Sequence, residues 1–295
     1  DEKRSAAVIA DIEAWIAAGA ADPRDGPAAV VKRGMSVEEG LKFWSFVPPQ
    51  RVAPPSVPDA RWGQSSVDAF IRAKHNVVGL TPAPPADKRS LLRRITFDLT
   101  GLPPSPEELR EFLNDDAPDT FARFVDRLLA SPQYGERWGR HWLDVVRYAD
   151  ARDLIQLPIE SDFREVWRYR DWVVAAFNRD LPYDEFITRQ LAGDLMQPLA
   201  PTKIDAEALV ATGMLAIADF VPGDVDKQQM IADYVNDEID VVGRAFLGLT
   251  LACARCHDHK FDPISTEDYY ALAGIFFSTR VIPSPVAGNT PLVRM

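Results

Sequence analysis

Cys253, Cys256 and His257 are the residues whose types and spacing promise chemistry, in the segment Cys253-Ala254-Arg255-Cys256-His257. The 295-residue chain has only two cysteines, and both fall here, directly before one of its four histidines. Two thiols at this spacing with an adjoining imidazole suit the covalent attachment of a c-type haem. The thiols add to the two haem vinyl groups as thioethers, and the imidazole of His257 binds iron from one face. On a helical turn, positions 253, 256 and 257 lie on one side, so one short segment holds the porphyrin edge and its proximal ligand together. The preceding Ala245-Phe246-Leu247-Gly248-Leu249-Thr250-Leu251-Ala252 supplies apolar packing against the ring, where burial helps set the redox potential. This reading gives one haem c per chain.

Three other readings use the same residues. A zinc site would draw on Cys253, Cys256, His257 and His259, but structural zinc usually takes two separated ligand pairs, and here all four crowd into one short stretch. A dithiol redox pair of the thioredoxin type sits beside a strand, and no strand pattern flanks this one. A structural disulfide across the pair arises if haem is never inserted.

Around the motif, Arg255 and Lys260 are candidate partners of the haem propionates through charge-assisted bonds. His259 either fixes a loop with Asp258 and Asp262 or meets the propionates; it stands too close to His257 in sequence to reach the opposite haem face readily. A sixth iron ligand is harder to place, because only Met295 lies downstream, so it is expected from upstream, from sequence beyond this chain, or from water or substrate. Met196, Met214 and Met230 lie upstream, where a methionine among apolar helical positions more often fills core. His141 is the other candidate metal ligand: its helix sets Asp144, Arg147 and Tyr148 on what reads as one face. The plainer reading of His141 is a hydrogen bond to Asp144. His75 sits on a predicted surface helix and receives no role.

Helices must position all of this. Apolar residues recur with helical period at 5–18, 66–78, 91–95, 106–113, 121–129, 136–150, 163–177, 184–195, 205–218 and 226–247, with no strand alternation or Asn-Gly hairpin between them. The expected fold is mainly α, an irregular multi-helix domain with long Pro-rich loops. Residues 20–63 are rich in Pro and Gly and read as a linker with one capping-box turn at Ser36 and Glu39. With 46% hydrophobic residues the chain buries a real core. A net charge of -11 argues against a nucleic-acid partner, which would call for clustered Lys and Arg. No apolar run is long enough to span a bilayer. The start Asp1-Glu2-Lys3-Arg4 has no signal-peptide core, as a processed precursor also would not.

The segment Cys253 to Ile264, Cys-Ala-Arg-Cys-His-Asp-His-Lys-Phe-Asp-Pro-Ile, resembles the signature of planctomycete-type cytochrome c domain proteins. So do Arg93 to Pro104, Tyr134 to Asp144 and Trp167 to Val173, and the likeness spans roughly residues 40 to 280. The resemblance implies a large exported protein in which a conventional cytochrome c domain precedes this one and another domain follows. Under it, residues 1–19 look like the last helix of that preceding domain, 20–63 the linker, and 64–295 a helical c-type haem domain. It implies a periplasmic or extracellular redox setting, with the upstream cytochrome c domain and a redox partner protein as partners, and no settled reaction. From the residues, electron transfer through a six-coordinate haem is the leading expectation. A haem-dependent oxidoreductase with an open distal site flanked by His141, Arg147 and Tyr148 as acid–base groups is the alternative. A helical scaffold or carbohydrate-associated module without haem is the third.

Overall fold

The structure is a computed structural model that describes residues 5–19, 34–57, 65–150, 165–196, 205–217 and 226–279. It is mainly α, and no strand occurs among the described residues. Helix starts follow the local capping chemistry. α1 (Ala6–Ala17) opens on Ser5 and buries none of its residues. α2 (Val37–Gly40) is one turn held by reciprocal bonds between Ser36 and Glu39, so the predicted capping box forms. α3 (Ser66–Val78) runs from the Ser65 cap to Gly79, which closes it in the left-handed region.

Three cores follow in chain order. α4 (Lys88–Thr100), α5 (Pro106–Asn114) and α6 (Thr120–Leu129) enclose Leu92, Phe112, Phe124 and Leu128. The second core joins α7 (Pro132–Val145), α8 (Trp167–Asn178), α9 (Tyr183–Ala192), α10 (Ala206–Ala211) and α11 (Gly213–Ala216) around Tyr169, Trp172, Val173, Phe186 and Met214. Gly135 lets α7 lie close on α8, since a Cβ there would stand 2.4 Å from the Val174 carbonyl oxygen. Inside this core Trp142 Nε1 donates to Gln190 Oε1 at 2.9 Å, as does the Tyr169 hydroxyl at 2.6 Å. Trp142, Tyr169 and Gln190 are thus paired with one another, whereas Trp172 Nε1 in the same core is buried without a hydrogen-bond partner among the described residues. α12 (Lys227–Val242) contributes Val241 to the second core and Val235 and Ile239 to a third, completed by α13 (Thr266–Phe277) through Tyr269 and Ala273. No described helix is long and apolar enough to cross a membrane.

The predicted helix boundaries need correction in four places. α7 ends at Val145 rather than Asp150, because Arg147 adopts φ 54° and the Tyr148 N–H closes back on Leu143 O at 2.9 Å. The 205–218 helix is broken at Thr212 into α10 and α11, and Ala218 lies outside the described residues. The 226–247 helix is α only to Val242 and then widens. α13 had no predicted counterpart. Of the expected linker, residues 34–57 are described; Gly34 and Gly40 approach the body as set out below, and most of the rest of this stretch is exposed. Residues 280–295, with Met295, lie outside the described set.

Candidate functional site: the CxxCH turn

α12 delivers the chain to the cysteines through an unusual passage. Its end widens into a π turn, Gly243–Leu247, which Gly248 closes at φ 67°. Such single π turns often sit at functional sites. Gly243 is required there: a Cβ would stand 2.7 Å from Leu251 Cγ, and the Leu249 N–H donates to Gly243 O at 3.1 Å. The chain doubles back on itself and enters a 3-10 turn at Leu251–Arg255. Side chains three apart eclipse on such a turn. Leu251 and Ala254 therefore sink into the third core, while Cys253 and Cys256 face outward as free, exposed thiols with His257 exposed beside them.

The imidazole of His257 is oriented by its neighbour. Nδ1 lies 2.7 Å from the Asp258 backbone oxygen. A carbonyl only accepts, so Nδ1 carries the hydrogen of this bond, which leaves Nε2 as the nitrogen available for ligation. Metal-ligating histidines are held in this way by their second nitrogen. Asp258 in turn accepts the Thr266 N–H at 2.9 Å and so fixes the start of α13.

His259 is placed differently. It is buried, its Nδ1 accepts the Asp262 N–H at 2.8 Å, and its Nε2 lies 3.0 Å from Thr250 Oγ1. With Nδ1 accepting from the backbone, Nε2 is the nitrogen that bears the hydrogen toward Thr250. The His259 N–H also donates to Ile264 O at 2.8 Å. Both nitrogens serve the loop, which is the loop-fixing role with Asp262 rather than an outward one. Cys253, Cys256, His257 and His259 accordingly form no common metal-sized cluster among the described residues.

Arg255 pairs with Asp233 of α12 at 2.7 Å, and that carboxylate holds its guanidinium more firmly protonated than usual. The Tyr270 hydroxyl of α13 donates to Arg255 O at 3.2 Å. Lys260 is exposed, with Nζ 5.0 Å from the centre of the Phe261 ring. The turn is thus braced by α12 on one side and α13 on the other.

Residues 34–40 lean on the same loop, which the sequence did not disclose. Gly34, at φ 82°, leaves so little room that a Cβ would stand 2.3 Å from His259 O, and one on Gly40 would stand 2.6 Å from Pro263 Cγ. Two glycines flanking a capping box were the available signal, but nothing local names the distant loop they contact.

His141, Arg147 and Tyr148 each make their own contacts. His141 lies exposed with its ring 5.6 Å from that of Trp138. The Arg147 side chain turns inward, its Nε 2.9 Å from Asp237 of α12 and its Nη1 3.0 Å from Met214 O. Tyr148 donates to Asp150 at 2.7 Å, and burial together with that carboxylate raises its hydroxyl above the ordinary range. Next to Asp237, Glu238 is buried, and burial pushes its carboxyl up to about 8, with Asp237 adding to the shift and Arg147 opposing it. Met214 is fully buried in the second core, Met230 is nearly so, and Met196 is half-buried just after α9.

Residues 66–281 match the family model PSCyt2, protein of unknown function (DUF1549). The chain belongs to that family. PSCyt2 is a planctomycete cytochrome-c-associated domain family whose function is unknown. The match covers the CxxCH turn, its braces α12 and α13, and all three cores. No curated protein and no solved structure matches the chain.

Proposed function

We propose that this PSCyt2 chain binds one c-type haem covalently through Cys253 and Cys256, with His257 as the proximal ligand, and transfers electrons outside the cytoplasm. The observation that carries this reading is the outward display of two free thiols and an imidazole whose Nε2 is left open by the Nδ1–Asp258 bond. Each thiol adds across one vinyl group: a carbon–sulfur bond forms, the thiol hydrogen passes to the adjacent carbon, and no oxidant is consumed. When bound, the haem supplies one-electron iron chemistry.

The chain's own residues hold and tune. Leu251 and Ala254 fix the turn from below, Asp258 sets the tautomer of His257, and Arg255 and Lys260 are the cations nearest in sequence for the propionates. Simple relay is favoured over catalysis because Arg147 is engaged by Asp237 and Tyr148 by Asp150, which takes both away from acid–base work on a substrate. The site of action is periplasmic or extracellular, and the partners are a preceding cytochrome c domain and a redox protein.

The test is attachment itself. Protein produced with haem-maturation machinery is expected to show a Soret band that survives denaturation and an intact mass raised by one haem. Cys253→Ala reduces the bond to one thioether. A mass equal to the bare polypeptide would sink the proposal.

A further inference from the structure

We propose that Met35 supplies the sixth ligand of the iron. This rests on the haem reading above and adds a residue on the part of the chain expected to be a linker. Met35 lies between two anchors on the attachment loop. On one side is Gly34, whose φ of 82° and missing Cβ bring its backbone against His259 O and within reach of Asp262 O. On the other is Gly40, seated on the Pro263 ring. Between them, Ser36 and Glu39 exchange bonds of 2.9 and 3.2 Å that set the backbone of the turn. The segment is therefore held to the very loop that begins at His257, and Met35 itself is half-buried.

The other described methionines and His141 belong to other parts of the fold. Met214 is enclosed in the second core and Met230 is nearly buried on α12. Met196 follows α9, which packs into the second core through Phe186. His141 is an exposed residue of α7 beside Trp138. A thioether on three rotatable bonds adapts to an irregular site, and a Met/His pair is an electron-transfer ligand set that raises the haem potential. Phe43, Trp44 and Phe46 extend the same segment with exposed aromatic surface, 40%, 80% and 36% accessible, which suits contact with an apolar macrocycle.

The experiment uses the haem-loaded chain and its Met35→Leu and Met35→His variants, after intact mass has shown one haem in each. Wild type is expected to be low-spin, to show the weak near-infrared charge-transfer band of a thioether–ferric haem bond, and to bind carbon monoxide slowly. Met35→Leu is expected to become high-spin, to lose that band, to bind carbon monoxide rapidly and to fall in midpoint potential. Met35→His is expected to restore the low-spin state without the band. A haem-loaded wild type that is high-spin, or that lacks the band, overturns the assignment even if the variants misfold. So does a Met35→Leu protein that stays low-spin with its band intact. If mass shows no haem at all, the attachment reading has failed and this one with it.

Discussion

Glu238 shows how one side chain tunes the stability of the frame behind the site. In the unfolded chain its carboxyl titrates near 4.5, and burial raises it to about 8 in the fold. The folded state therefore holds a proton that the unfolded state gives up. The resulting stability is fully present below 4.5 and is lost as pH rises through the folded value. Glu238→Gln, which keeps shape but cannot ionise, is expected to match wild type at the acid end and to melt at higher temperature above pH 8. Parallel melting profiles for the two proteins would show that Glu238 does not titrate in this way. At this scale the sequence was legible where the chemistry is contiguous. The outward display of Cys253, Cys256 and His257 follows from spacing within five residues, and loop fixing was one of the two roles expected of His259. Arg147 was not legible. Its assignment to a pocket assumed an unbroken helix, whereas its actual partner, Asp237, is far away in the chain. Asp233 was equally hidden as the partner of Arg255.

Among the elements, the π turn after α12 sets the direction in which the thiols emerge. Its key residue is Gly243, where an added methyl meets Leu251 Cγ at 2.7 Å and Leu249 O at 2.8 Å, one of them backbone that cannot step aside. Gly243→Ala is expected to cost roughly 1–3 kcal/mol by overpacking. Because Leu251 heads the attachment turn, the same variant should also lower the yield of covalently attached haem, read from intact mass alongside a thermal melt. A variant with unchanged melt and unchanged yield would show that the doubled-back chain tolerates a side chain. Helical periodicity revealed α12 but not the widening, since a π turn shifts the apolar pattern by one residue and still resembles a helix end. α13 escaped for another reason. Its apolar residues, Tyr269 to Phe277, run almost continuously and so show little amphipathic period, although the capping pair Ser265 and Asp268 marked its start.

Across the whole molecule, α12 serves two cores at once, and the CxxCH turn is built where it leaves them. The fold class was readable because several helix starts carry a capping residue and no strand pattern competes, and the dense second core because its apolar faces repeat. The seating of residues 34–40 was not, since it depends on two small residues meeting a loop at the other end of the chain. Deleting residues 5–47 is expected to leave the helical signal of the body nearly intact, while backbone amides of residues 259–264 lose protection in hydrogen exchange. Unchanged protection there would mean that the segment is passive. The separation of these two surfaces along the chain also has a kinetic meaning. Gly34 and His259 are divided by most of the described sequence, so their contact carries a large loop-closure entropy and contributes nothing until both ends are present. The body is expected to consolidate first through its more local helix pairs, with the N-terminal segment closing last. The same contact opens first when the protein breathes, exposing the loop at a free-energy cost well below that of global unfolding.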